Sequence, residues 1–182
     1  MPGPSSDKPK FRFEPLDKKK HNRTAFSCGR ESLDTYLKER ASQEIKKQVA
    51  AVYVLSPDGN AIAGYYTLSQ YAIDAGEIPP ELMQKLRFPK YDRLPATLLG
   101  RLARSVEHKG QGIGELLLMD ALRRSLELSR RIASVAVVVD AIDENARQFY
   151  QRYGFIDVPG HPNRLFIPTQ TVALLFPEIL SE

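Results

Sequence analysis

Residues 96–139 constrain this chain most. An apolar run, ATLLGRLA at 96–103, is followed by a glycine-rich stretch, EHKGQGIG at 107–114. A helical stretch at 115–130 and a second apolar run, IASVAVVV at 132–139, complete the segment. Within 115–130, Leu118, Leu122 and Leu126 recur at i, i+4 and i+8, the spacing of a helix face turned toward a core. The second run is continuous and rich in β-branched residues, the pattern of a strand covered on both faces. Strand, turn, helix and strand in that order belong to an α/β fold.

The flanking sequence extends that pattern. Residues 11–16 (FRFEPL) alternate like a short strand, and Ser27–Gln48 is helical, with Leu33, Tyr36 and Leu37 on one face and Ser27 as a cap. Residues 50–55 and 61–69 are strand-like, with Asp58-Gly59 between them as a hairpin signal. Residues 79–87 open on Pro79-Pro80 and read as a short helix. Residues 143–153 form a helix with an acidic first turn that ends at Gly154. Residues 165–176 supply a last strand. No internal repeat interrupts the order, and 182 residues predict one domain over 11–182 behind a disordered tail at 1–10.

Composition removes several function classes. Lys and Arg total 26 against 22 Asp and Glu, a net of +4. Residues 1–23 hold seven basic and three acidic side chains, so the remaining 159 are neutral with 19 of each. A solvated basic tail accounts for that excess, and charge alone does not indicate nucleic-acid binding. The single cysteine, Cys28, excludes an intrachain disulfide, and three histidines without HExxH spacing predict no metal site. No run of 18 apolar residues predicts a membrane span, and the N-terminus lacks the apolar core of a secretory signal. A cytoplasmic protein is expected.

A strand, then KGQGIG, then a helix suits an anion. Glycines let backbone N–H groups turn inward, and the helix adds its positive end. A Walker A loop needs Lys and Ser or Thr after its last glycine, whereas Gly114 is followed by Glu115 and Leu116. A dinucleotide fingerprint needs G-x-G-x-x-G, whereas Gly110, Gly112 and Gly114 alternate strictly. A glycine-rich connector without a ligand is the alternative. The alternation, as Lys109-Gly110-Gln111-Gly112-Ile113-Gly114, resembles the acyl-CoA pyrophosphate loop of the GNAT (Gcn5-related N-acetyltransferase) superfamily, with Lys109 where Gln or Arg is usual. Asn145–Phe155 (NARQFYQRYGF) resembles that superfamily's second signature, N-A-x-x-F-Y-x-x-x-G-F, without a gap.

The resemblance implies an α/β single-domain GNAT fold, a mixed central sheet with helices on both faces, and acetyl-CoA as cofactor. It implies contacts to that cofactor from Asn145 and Phe149, from Lys109–Gly114 through Gly110, Gln111, Gly112 and Ile113, and from the strand end Leu102, Ala103 and Arg104. In such an enzyme the strand edge pairs with the extended pantetheine arm and offers a backbone N–H to the developing oxyanion. Tyr150 is then the catalytic residue, set beside the leaving thiolate; packing of α-helix against sheet is its alternative role. A phenol titrates near 10 and a thiol near 8.5, so full proton transfer is uphill by roughly 2 kcal/mol. Stabilisation of developing charge is therefore at least as important as formal protonation.

Three further strings narrow the resemblance. FSCGRESLDTYL (26–37), AGYYTLS (63–69) and LGRLAR (99–104) are similar to GNAT toxins of bacterial type II toxin–antitoxin modules, with Arg104 in place of a usual Val. That family acetylates the α-amine of the amino acid on charged tRNA and blocks translation. It implies a ribbon-helix-helix antitoxin and a homodimer as partners. Arg87, Lys90, Arg93 and Arg101, close in sequence to Arg104 and Lys109, are candidates for binding aminoacyl-tRNA, or else a solvated face. The matched motifs contain no evident general base. An α-amine titrating near 8 needs one less than a lysine near 10.4 does. A GNAT acting on a small or protein amine, and a non-catalytic acetyl-CoA-binding docking module, are the alternatives. Cys28 is read as structural, and His161 in PGHPN as a loop residue.

Overall fold

The computed structural model describes residues 10–180, so the tail expected at 1–10 lies, apart from Lys10, outside the described residues. In chain order the elements are β1 (Arg12–Pro15), α1 (Glu31–Thr35), α2 (Ala41–Lys46), β2 (Ala51–Ser56), β3 (Gly64–Asp74), α3 (Pro80–Lys85) and β4 (Arg93–Arg104). Then follow α4 (Ile113–Ser129), β5 (Ala136–Asp140), α5 (Glu144–Arg152), β6 (Ile156–Val158), β7 (His161–Pro168), α6 (Thr169–Leu175) and α7 (Pro177–Leu180). A wider π-helical turn, Tyr36–Arg40, links α1 to α2.

The strands form one mixed sheet in the order β1-β2-β3-β4-β5-β7-β6. β4 and β5 are parallel, with register from Thr97↔Val137 to Leu99↔Val139. β1 and β2, β5 and β7, and β6 and β7 are antiparallel. β5 carries the β-branched run, and Ala136–Val139 are all buried, as a strand covered on both faces requires.

The chain forms two compact units, residues 10–67 with Arg101–Asp120, and Leu68–Gly100 with residues 121–180. β3 and β4 contribute residues to both. The first unit packs Phe26, Tyr36, Leu37, Val54, Tyr65 and Ala103 into its core. The second packs Ile73, Ile78, Leu94, Val138 and Phe166. Leu118, Leu122 and Leu126 of α4 are buried, as their spacing predicts.

Four expectations are corrected. The last strand stops at Pro168, which has no N–H for the ladder and whose φ of −59° leads into α6. The helix after Ser27 starts at Glu31, because Gly29 at φ +83° turns the chain first and the Ser27 hydroxyl donates to Asp34 at 3.2 Å. The glycine-rich turn ends at Gly112, since Gly114 is already the second residue of α4. His161 is the first residue of β7 rather than a loop residue.

Candidate functional site

The glycine turn and the helix behind it belong to the first unit. After Arg104 the backbone is pinned twice, Ser105 N–H to Ala63 O at 2.8 Å and Val106 N–H to Ser27 O at 2.9 Å. A 3-10 turn, Val106–His108, follows, with the Ser105 hydroxyl accepting from Glu107 N–H at 3.3 Å. Gly110 and Gly112 then adopt φ of +79° and +71°, the left-handed region that favours glycine. A Cβ at either would meet nothing within 4 Å, so backbone conformation rather than crowding calls for glycine there, and the space over the turn is open.

Hydrogen bonding divides the amides of this turn. Lys109 N–H reaches Val106 O and Gln111 N–H reaches His108 O, each at 3.4 Å. The first bond of α4 is Leu116 N–H to Gly112 O at 3.1 Å, so the amides of Ile113, Gly114 and Glu115 have no acceptor within the helix. Those amides and the positive end of a 17-residue helix form an anion cradle. The Lys109 side chain is exposed beside it, and Ile113 is buried completely, anchoring the first helical turn.

Two residues of β3 seat that helix. A Cβ on Gly64 would come within 2.7 Å of Leu117 Cδ1 and 2.9 Å of Ala103 O, so only glycine admits so close an approach. The Tyr66 hydroxyl donates to Asp120 Oδ2 at 2.6 Å. The 26–37 string serves the same architecture. Phe26 meets Tyr65 edge-on with ring centroids 5.5 Å apart, and Asp34 Oδ1 accepts from Cys28 N–H at 2.8 Å. Burial and Asp34 push the Cys28 thiol up to about 11, away from the thiolate that a nucleophile needs. Arg101 lies over the Tyr36 ring, 3.6 Å from its centroid, and Tyr36 donates to Glu44 at 2.8 Å. Neither Gly64 nor Asp34 is singled out by sequence reasoning; the strings containing them were the available signal.

The second signature lies on α5, in the second unit. Asp143 caps the helix, accepting from Ala146 N–H at 2.8 Å. Asn145, in the first turn, is exposed. Phe149 is half-buried and meets Tyr150 edge-on at 5.3 Å; Phe155 meets Tyr150 with tilted rings, also at 5.3 Å. Arg147 forks onto Asp157 of β6 at 3.0 and 2.9 Å, latching the helix to the sheet. Tyr150 is 8% exposed, and no hydrogen bond contributes to the shift of its phenol. Burial holds its phenol well above the ordinary tyrosine range, so the proton stays on oxygen throughout neutral pH.

Of the basic residues expected to meet tRNA, Arg87, Lys90 and Arg93 are exposed in the second unit, Arg93 paired with Asp74 at 3.0 Å. Arg87 closes α3 at φ +54°. Arg101 and Arg104, in the first unit, are half-buried. Among the described residues no three His, Cys, Asp or Glu side chains form a group able to hold a metal ion. No helix among them is long and apolar enough to cross a membrane.

Comparison with known proteins bears directly on these elements. The acetyltransferase (GNAT) domain family matches residues 48–157, which include the glycine turn and α5. A probable toxin TacT of Sinorhizobium fredii is 31% identical over 171 residues, 90% of this chain and 93% of the relative. A tRNA-acetylating toxin of Mycobacterium tuberculosis is 31% identical over 144 residues, 79% and 84% of the two chains. AtaT complexed with acetyl-methionyl-tRNAfMet superposes with a TM-score of 0.82 at 30% identity, covering 92% of this chain and 99% of that one. AtaTR bound with acetyl-CoA and a mutant AtaT toxin bound to the C-terminus of the antitoxin AtaR give TM-scores of 0.79 and 0.78. With glycine turn, anion cradle and tyrosine-bearing helix inside one matched region, this chain belongs to the GNAT acetyltransferase family.

Proposed function

We propose that this protein is a toxin that transfers the acetyl group of acetyl-CoA to the α-amine of the amino acid on charged tRNA, and so blocks translation. The observation that carries the chemistry is Tyr150. A buried tyrosine ordinarily finds a partner for its hydroxyl. No hydrogen bond contributes to the shift of this phenol, and burial keeps it protonated. Such a group is held ready to donate.

The open glycine turn fits a diphosphate, and we assign acetyl-CoA to it. The amides of Ile113, Gly114 and Glu115 receive the pyrophosphate with the exposed Lys109 beside it. Bound there, the cofactor supplies an activated acetyl thioester. The Leu102–Arg104 backbone takes the extended arm and the carbonyl oxygen, and Asn145 and Phe149 line the thioester end. The amine nitrogen forms a bond to the acetyl carbon, the carbon–sulfur bond breaks and the amine proton leaves to water. Tyr150 donates a hydrogen bond to the departing thiolate. Because burial raises the phenol further above a thiol, stabilising that charge matters more than handing over a whole proton.

The acceptor assignment rests on the relatives. A tRNA-acetylating toxin and AtaT with acetyl-methionyl-tRNAfMet both align along most of this chain. Arg87 and Lys90 offer exposed cations for the tRNA backbone. We take residues 11–182 as the catalytic domain, working in the cytoplasm as a homodimer and held in check by a ribbon-helix-helix antitoxin. Purified protein given labelled acetyl-CoA with charged tRNA, uncharged tRNA and free amino acids tests the assignment. Label on charged tRNA alone is expected; label on free amines alone would contradict it.

A further inference from the structure

The second unit contains a charge cluster that the acetyl transfer does not use. Arg164 of β7, the cross-strand partner of Asp140 at the end of β5, forks onto it with Nε–Oδ1 2.8 Å and Nη2–Oδ2 3.2 Å. Its Nη1 donates to the Tyr71 hydroxyl at 2.7 Å and lies 3.5 Å from Glu77 Oε1. His161 Nε2 is 3.8 Å from the same oxygen. Glu77, in the 3-10 turn Ala75–Glu77 after β3, is only 9% exposed. Its Oε2 is buried with no hydrogen-bond partner among the described residues.

A buried carboxylate oxygen without a donor is costly and needs an explanation. Arg164 does not supply the missing bond. Its fork is taken by Asp140 and Tyr71, and 3.5 Å to Oε1 exceeds the 2.7–2.9 Å typical of a charge-assisted bond. Two carboxylates share one guanidinium, and His161 at 3.8 Å is too far to complete a hydrogen bond, so Glu77 Oε2 stays short of a donor. A compact cation carrying N–H groups matches that deficit, and the described residues offer no third ligand for a metal ion. The position suits the reaction as well. Asp140 ends the strand that leads, through Ala141 and the Asp143 cap, into the helix bearing Asn145 and Tyr150.

We propose that Glu77 receives the α-ammonium of the aminoacyl-tRNA acceptor, which gives up one proton to water before its nitrogen attacks, and that the Asp140–Arg164 pair holds Glu77 in place for it. This rests on the reading of charged tRNA as substrate and adds the residue that recognises its reacting end. Glu77 is here a positioning and specificity residue, selecting an acceptor with an amine over one without.

The test compares one tRNA esterified with an α-amino acid or with the matching α-hydroxy acid, binding to the full chain in the absence of acetyl-CoA. Wild type is expected to prefer the amino form by about tenfold or more, since a site built around a donor rejects ligands lacking it. Glu77→Gln is expected to bring the two affinities within about twofold of each other, to raise KM for charged tRNA more than it lowers kcat, and to leave acetyl-CoA affinity unchanged. Glu77→Asp is expected to restore part of the preference. Equal binding of both forms by wild type would overturn the inference whether or not the variants fold. An undiminished preference in Glu77→Gln would do the same. Absence of acetylation by wild type would overturn the functional reading and the inference with it; acetylation without amine preference would overturn the inference alone.

Discussion

The Tyr66 hydroxyl donates to Asp120 Oδ2 across 2.6 Å, joining a fully buried residue of β3 to the second turn of α4. With Gly64 two residues earlier, this bond fixes where α4 begins and so where its amides point. The end of the helix to which the pyrophosphate is assigned is thus set by a strand far from it in sequence.

Tyr66→Phe keeps the ring and removes the donor. A hydrogen bond to a charged group contributes about 1.5–3 kcal/mol, and a loss of that size is expected in urea denaturation. Because the bond seats α4, acetyl-CoA titration is expected to show weaker binding as well. Unchanged stability would mean that the packing of the ring, against Tyr53 at 5.3 Å and Phe13 at 6.5 Å, seats the strand by itself.

Two glycine substitutions are expected to fail for different reasons. Gly64→Ala places a methyl against Leu117 and the Ala103 carbonyl, overpacking that costs about 1–3 kcal/mol and moves the first turns of α4. Gly112→Ala meets no atom but forces a side chain into the left-handed region, at about 1–2 kcal/mol. Thermal denaturation with acetyl-CoA titration separates them. Leu117→Ala relieves part of the Gly64→Ala defect and none of the Gly112→Ala defect, and Gly112→Asn is milder than Gly112→Ala.

The α5 latch responds to acid. Hydrogen bonding from Arg147 holds the Asp157 carboxyl below its ordinary 3.8. A lowered folded-state value means that the stabilisation is fully present above about pH 4, the unfolded range, and is lost as pH falls through the folded value. Acid unfolding curves of wild type and Asp157→Asn are therefore expected to converge as pH drops below 4 and to separate above it. Curves that stay parallel would show that the pair contributes nothing to folding.

Much of this was legible in the sequence because it depends on neighbours along the chain. The Leu118, Leu122 and Leu126 stripe, the β-branched run ending at Val139, and the α5 helix from its acidic first turn to Gly154 each follow from local spacing. The end of the glycine turn was not legible, since glycine suits a turn and the second position of a helix equally. Nor was the strand-to-helix change at Pro168, where TVALL carries apolar residues that either element can bury. Gly64 packing on Ala103 and Leu117, Arg101 stacked on Tyr36, and the meeting of Tyr71, Glu77, Asp140 and Arg164 all join distant stretches. Spacing says nothing about such contacts.

The central claim is that the Tyr150 hydroxyl serves the departing thiolate and does not hold the fold together. The most direct measurement is single-turnover acetylation of charged tRNA by wild type and Tyr150→Phe, with acetyl-CoA affinity and thermal stability determined on the same preparations. A loss in rate of about 10²–10⁴-fold is expected, the range for a positioned proton donor, with affinity and stability unchanged. Full activity in Tyr150→Phe, or a loss explained by weaker acetyl-CoA binding or a less stable fold, would contradict it.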